Sequence, residues 1–286
     1  MPTTIRQILC PTDFSETSRR AIAYATTIAR WYGASLSVMH VCDSSGAMLG
    51  RIREQIAASC AEAAGSGVRL EVLVDSGRPA AAIIDRAASM SADLIVIGTH
   101  GASGFERLVL GSVAEKVLRK AGCPVLTVPP HAEASGLPFK RILCAVDFSE
   151  WSLRAFELAQ SLSRESGAAL TALSVIEWPW HEPPAPAFAE LRAEQAAALA
   201  EYRRYMEDVA LRRLTSLVEQ SAGIAAEPRI GHGKPAAQIL QAAADLGADL
   251  IVIGVHGRNA LDLGVFGSTA NHVVRQAVCP VLTLKG

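Results

Sequence analysis

Hydrophobic and polar positions switch along this chain between two regimes, short apolar runs and longer stretches of helical period. Ile5 to Pro11 is a short apolar run and predicts a first strand. From Ser15 to Trp31 the apolar positions Ala21, Ile22, Ala25, Ile28 and Ala29 recur at helical spacing, with Ser15 or Thr17 as the N-cap. Ser35 to Val41 predicts a second strand, Ile52 to Ala63 a helix, and Val68 to Val74 alternates like a half-buried third strand. Pro79 opens a further helix that runs to about Met90. Leu94 to Gly98 is continuously apolar, as a fourth strand covered on both faces would be. Ser112-Val113-Ala114-Glu115 has the form of a capping box and starts the next helix. Gly122-Cys123-Pro124 ends that helix ahead of a fifth strand, Val125 to Val128. Strands separated by helices imply an α/β fold whose parallel sheet carries helices on both faces.

The pattern then repeats. Ile8-Leu9-Cys10-Pro11-Thr12-Asp13-Phe14-Ser15-Glu16 returns 134 residues later as Ile142-Leu143-Cys144-Ala145-Val146-Asp147-Phe148-Ser149-Glu150. Ala92 to Gly98 returns letter for letter as Ala248 to Gly254, 156 residues on. The larger second shift places an insertion of about that difference in the second copy, around residues 178–219, where Trp178-Pro179-Trp180-His181 precedes a long Ala/Glu/Arg-rich stretch. Residues 1–130 and 140–286 are therefore expected to be two tandem Rossmann-like domains, joined by a Pro- and Ser-bearing linker over 131–139.

Composition narrows the function classes. With 286 residues and half of them apolar, two ordinary cores can be built. A formal charge of -1 gives no electrostatic support to nucleic-acid binding. No apolar run has membrane-span length and Met1 to Gln7 has no signal-peptide core, so the expectation is a cytoplasmic protein with no membrane partner. Cys10 and Cys144, like Cys123 and Cys279, recur at matching places in or beside strands and read as small buried thiols; Cys42 and Cys60 have no counterpart.

Ligands of such sheets bind beyond the carboxyl ends of the strands. Asp13 and Asp147 fall there, able to accept from a ribose hydroxyl or a base edge, or to serve as turn and helix-capping residues. Gly98-Thr99-His100-Gly101 leaves the fourth strand, nine residues follow, and Gly111-Ser112 opens a helix. Gly254-Val255-His256-Gly257 and Gly267-Ser268 repeat that spacing. Phosphate binding needs backbone N–H groups at close range, glycines that let the chain approach, and the positive end of a helix.

On these motifs, and on the endings Cys123-Pro124-Val125 and Cys279-Pro280-Val281, nearly the whole chain resembles a tandem universal stress protein of the ATP-binding branch. The resemblance implies a five-stranded parallel sheet in order 3-2-1-4-5 and domains that pair edge to edge through strand five. It implies ATP, with Mg2+, held by Pro11, Thr12 and Asp13 toward the adenosine and by Val41 at the adenine. Gly98, Gly101, Gly111, Ser112 and Val113 would hold ribose and phosphates, while His100, like His256, reads either as loop structure or as a phosphate or metal contact. The matching set in the second copy is Asp147, Val175, Gly254, Gly257, Gly267, Ser268 and Thr269. An intrachain pseudo-dimer follows, and a further homodimer is compatible with it.

The second copy departs from the pattern: Pro11-Thr12 becomes Ala145-Val146, Arg258-Asn259 replaces Ala102-Ser103, and Ala260 replaces Gly104. No G-x4-G-K-[ST] loop is present, no residue is an evident base, and Arg107 is the one arginine in the first loop, so binding with at most slow hydrolysis is expected. A weak ATPase and a nucleotide-independent interaction module are the rival readings. His181, His232, His256 and His272 all fall in the second copy and offer a zinc alternative. The insertion reads as a long helix or a helix pair, serving either as a solvated cover or as a lid or partner-docking element with Trp178 and Trp180 as apolar anchors.

Overall fold

A computed structural model describes residues 5–42, 47–99, 110–132, 139–177, 193–220, 226–256 and 266–285. The first half runs β1 (Gln7–Pro11), α1 (Glu16–Tyr32), β2 (Ser35–Val41), α2 (Ala47–Ser59), α3 (Ala61–Gly65), β3 (Arg69–Asp75), α4 (Pro79–Ser89), β4 (Leu94–Gly98), α5 (Ser112–Lys120) and β5 (Val125–Val128). The second runs β6 (Arg141–Ala145), α6 (Glu150–Ser166), β7 (Ala169–Ile176), α7 (Ala193–Glu219), β8 (Ala226–His232), α8 (Pro235–Leu246), β9 (Leu250–Gly254), α9 (Ser268–Gln276) and β10 (Val281–Leu284).

Local chemistry explains why these elements begin and end where they do. Ser15 caps α1 by accepting from the Ser18 N–H, and Gly33 closes it in the left-handed region at φ 64°. Ser149 and Gly167, at φ 70°, punctuate α6 in the same way. Pro79 and Pro235 each supply the pre-set φ at the first turn of α4 and α8. Along β1 the side chains alternate between two cores, Ile8 and Cys10 on one face and Leu9 on the other, all fully buried. The same holds for β4, with Leu94 and Val96 opposite Ile95 and Ile97. That double coverage is why these strands read as continuous apolar runs.

Each half has strand order 3-2-1-4-5, and the halves join into one sheet ordered β3-β2-β1-β4-β5-β10-β9-β6-β7-β8. The junction is antiparallel, pairing Val125, Leu126 and Thr127 with Thr283, Leu282 and Val281. Its hydroxyls are buried and satisfied: Thr127 Oγ1 donates to the Val281 carbonyl at 3.1 Å and Thr283 Oγ1 to the Val125 carbonyl at 3.2 Å. The Tyr32 hydroxyl also crosses between the halves, donating to Glu165 Oε2. Because strands are parallel within each half and antiparallel at the seam, the two carboxyl edges lie on opposite rims of the sheet.

Two local expectations change. The first connection is two helices, broken at Cys60, whose side chain is buried. Its counterpart α7 is one 27-residue helix, about 40 Å long. Among the described residues its core anchors, Leu214 and Val218, fall in its latter part, while Tyr202 and Tyr205 stay exposed. Trp178 and Trp180 lie outside the described residues. Finally, Ser112 does not cap α5; Gly111 is the N-cap, and Ser112 is the first helical residue.

Candidate functional site

At the carboxyl end of β1, the Thr12 N–H extends the ladder by donating to the Met39 carbonyl at 2.8 Å. Thr12 Oγ1 receives the Phe14 N–H at 3.1 Å and lies 3.0 Å from Ser18 Oγ. Asp13 is exposed, and its Oδ1 accepts from the Ser15 N–H at 3.1 Å, forming an Asx turn. So the turn role weighed for Asp13 is met by one of its oxygens. The turn forces Phe14 to φ 64°, a conformation a bulky side chain adopts only when its surroundings impose it. Its ring packs 4.6 Å from that of His40, whose Nδ1 lies 2.7 Å from the Thr12 carbonyl oxygen. A carbonyl only accepts, so Nδ1 is the donor of this bond.

Gly98 ends β4 under the first turn of α1. A Cβ at this position would lie 2.9 Å from Thr17 Cγ2 and 3.1 Å from the Thr17 carbonyl carbon. The missing side chain therefore lets the helix start settle beside the end of β4. One residue later the Thr99 carbonyl accepts the Gly111 N–H at 2.8 Å, tying the loop's entry to its exit. At that knot α5 begins, with Gly111 at φ -58°, ψ 138° and no side-chain cap hydrogen bond. The first amides of a helix have no intrahelical acceptor, so the exposed Ser112 and the half-buried Val113 present donors at a positive helix end. The Arg19 guanidinium, bound to the Phe14 carbonyl at 3.1 Å, adds cationic charge at the start of α1. Val41 ends β2 beside Asp75, whose carboxylate is held by a forked ion pair to Arg86 at 2.7 to 3.0 Å. His100, Gly101, Gly104 and Arg107 lie outside the described residues.

The second copy keeps the frame and changes its lining. Asp147 Oδ1 accepts from both the N–H and the hydroxyl of Ser149, at 3.0 and 2.6 Å. Gly267 N–H donates to the Val255 carbonyl at 2.9 Å, and a Cβ on Gly267 would stand 2.7 Å from that oxygen. Here glycine is a steric requirement. Ser268 and Thr269 then occupy the first turn of α9. Trp151 stands where Thr17 stands, its carbonyl carbon 2.9 Å from a Cβ built on Gly254. Its ring meets His256 edge-on at 5.6 Å, and His256 is 3% exposed. Ser174 replaces His40, and the Arg213 guanidinium of α7 lies 4.0 Å from the Phe148 ring centre. Val175 lies in β7, paired with Gly231, and Gly257 and Ala260 are outside the described residues.

The zinc alternative gains no support. His232 faces Glu207 at 3.6 Å, His256 is packed on Trp151, and His181 is outside the described residues. Among the described residues no group of three or more His, Cys, Asp or Glu could hold a metal ion. No described helix is long and apolar enough to cross a membrane.

His40 and Arg213 escaped the sequence reading, Thr17 entered it only as a candidate cap, and Phe14 only as a letter of the repeated motif. His40 and Thr17 change identity between copies, so the repeat gave no signal for them. Phe14 recurs as Phe148, but only its positive φ marks it as special, and that is invisible in an aromatic letter.

A family model described as the universal stress protein family matches residues 4–129 and again 138–285. A universal stress protein of Mycobacterium bovis is 29% identical over 210 residues, covering 69% of this chain and 63% of its own length. The match thus spans less than two thirds of that relative. Another, from Mycolicibacterium smegmatis, is 27% identical over 300 residues and covers 97% of this chain and 96% of its own. The crystal structure of a universal stress protein from Archaeoglobus fulgidus aligns with TM-score 0.66 at 26% identity, over 98% of both chains. This chain belongs to the universal stress protein family and carries two copies of its domain in one polypeptide.

Proposed function

We propose that the protein is a stress-response regulator that binds ATP at the carboxyl edge of its first half, with turnover slow or absent. In this reading residues 1–130 and 140–286 are the two domains, paired as an intrachain dimer. The observation that carries it is the start of α5: an uncapped helix end, tied by the Thr99–Gly111 bond to the end of β4, beside the Asp13 turn. Ser112 and Val113 amides would hold the phosphates, with the glycine loop folding over them, and Asp13 and Val41 would meet the adenosine. Mg2+ would ride on the phosphates, since that ion keeps much of its water and needs few protein ligands.

The second half is the weaker site in this proposal. The Trp151 ring packs on His256 at the position of the smaller Thr17, and the Arg213 guanidinium lies over the Phe148 ring where the first half has the His40 ring against Phe14. Isothermal titration with ATP, ADP, AMP, cAMP and GTP, in Mg2+ and in EDTA, tests the assignment. The expected result is about one ATP per chain, weakened by Asp13→Ala without loss of the folded circular dichroism spectrum. No saturable adenine-nucleotide binding would sink the proposal; two equal sites would sink the asymmetry. Phosphate release under the same conditions separates binding from hydrolysis.

A further inference from the structure

The joined sheet ends on β3 at one side and on β8 at the other, and no described strand pairs with the outer edge of either. A bare strand edge presents a row of N–H and C=O groups that another strand can take up. The ladder fixes which groups those are. The Cys42 N–H donates to the Asp75 carbonyl at 2.9 Å, so Asp75 turns its backbone toward β2. Backbone direction alternates along a strand, so Arg69, Glu71 and Leu73 do likewise, while Leu70, Val72 and Val74 turn their N–H and C=O groups outward.

The two end strands treat this exposure differently. Val38 pairs with Val72, and its repeat equivalent Ala172 pairs with Pro228, so Pro228 stands where β3 has Val72. The Gly233 N–H donates to the Ile176 carbonyl at 3.1 Å, and by the same alternation Pro228 takes the outward phase, where it has no N–H to offer. Proline so placed blunts an edge. β3 has no proline, and its side chains are arranged for a copy of itself. About a two-fold axis through Val72, antiparallel β3 strands set Val72 against Val72, Leu70 against Val74 and Arg69 against Asp75. Leu70, Val72 and Val74 are the residues whose backbone groups face outward, and each facing pair of them exchanges two N–H···O bonds. Their half-buried side chains pack at the margin of the core that holds Ile8 and Val38, and would cover one another across the axis. On the opposite face the exposed Arg69 meets an Asp75 carboxylate that is forked to Arg86 and still 26% exposed. Glu71, between them, is drawn onto its own sheet by the Ser37 hydroxyl at 3.0 Å. Arg69 and Asp75 are equally far from Val72, so this centre alone aligns both charge pairs with the hydrogen-bonded ones. The second copy has Ala225 and Gly231 at the places of Arg69 and Asp75.

We propose that a second copy of this chain docks on β3, edge to edge and antiparallel about Val72, to give a closed dimer whose two sheets are continuous. Because Pro228 blunts the far edges, growth stops at two chains. The interface belongs to the outermost strand and stands independently of the nucleotide reading.

Sedimentation velocity over a concentration series of the full chain should give a dimer and no larger assembly. Val72→Pro, which copies the residue of β8 and removes an outward N–H, should weaken dimerisation at least tenfold while the circular dichroism spectrum is kept. Arg69→Glu, an exposed change that sets like charges face to face, should act in the same direction and decides the matter if the proline variant fails to fold. Val72→Cys should form a disulfide-linked dimer under mild oxidation that neither the parent nor Leu70→Cys gives, because position 72 faces itself. A chain that stays monomeric up to its solubility limit overturns the proposal, as does a dimer that Val72→Pro and Arg69→Glu both leave intact. A dimer that cross-links no better through position 72 than through position 70 overturns the register. Assembly beyond two chains overturns the blunting role of Pro228.

Discussion

Ser112→Pro would separate phosphate binding from folding at the start of α5. Proline removes the amide of the first helical residue, a position where its fixed φ suits the helix and no intrahelical bond is lost. Proline also constrains the residue before it, and Gly111 already sits at φ -58°, ψ 138°, within the region that constraint requires. The Gly111 N–H bond to Thr99 is untouched. Stability should therefore stay within about 1 kcal/mol of the parent, with any gain coming from a stiffer unfolded chain. Binding should not be spared. A hydrogen bond to a charged group contributes about 1.5–3 kcal/mol, so losing one phosphate donor should weaken ATP roughly 10- to 140-fold. Ser112→Ala is the control, since it removes the hydroxyl and keeps the amide. The assay is calorimetric titration paired with thermal unfolding. A proline variant that folds normally and binds ATP within about twofold of the parent would refute the placing of phosphate at this helix end.

Gly98→Ala should cost about 1–3 kcal/mol in chemical denaturation, because the new methyl meets Thr17 at 2.9 Å and its backbone at 3.1 Å. Adding Thr17→Ser, which removes the nearer methyl, should restore part of the loss, and no recovery would show that the backbone contact dominates. Tyr32→Phe should lower stability by about 1–2 kcal/mol by removing the hydroxyl that donates to Glu165 across the seam. An unchanged denaturation midpoint would mean that water replaces it. Burial pushes the thiols of Cys60 and Cys123 up to about 11 and of Cys279 up to about 12, and raises Cys10 and Cys144 further. Above the unfolded thiol value of about 8.5–9 the unfolded chain releases these protons and the native chain holds them. Stability should thus be intact below pH ~8.5 and fall between about pH 9 and 11, which a pH series of denaturant midpoints would reveal. Alkylation of Cys10 and Cys144 should proceed only after unfolding.

The order of elements was legible because its signals are local. Val125–Val128, Ser35–Val41, Leu94–Gly98 and the Pro79 start need only a few neighbouring residues to declare themselves, and the repeat declares the duplication. What misled was local chemistry overruled by geometry. Ser112 has the letters of a capping box, yet the Thr99–Gly111 bond fixes the entering chain so that Gly111 becomes the cap. The Ala/Glu/Arg-rich stretch left a long helix and a helix pair both open, and α7 is the single helix, while nothing local foretold that α2 and α3 divide at a buried Cys60.

By itself the sequence determined the doubly covered strands, a hydroxyl-bearing cap at the start of α1 and the matched glycine frames, since each depends on residues close along the chain. Only the tertiary structure decided that Gly98 and Gly254 make room for the first turns of α1 and α6, that His40 supports the Asp13 turn through the Thr12 carbonyl, and that Arg213 reaches Phe148 from a distant helix. It also decided that the antiparallel β5–β10 seam sets the two edges on opposite rims. These contacts join residues far apart in sequence, and strand order and helix spacing, rather than local pattern, bring them together.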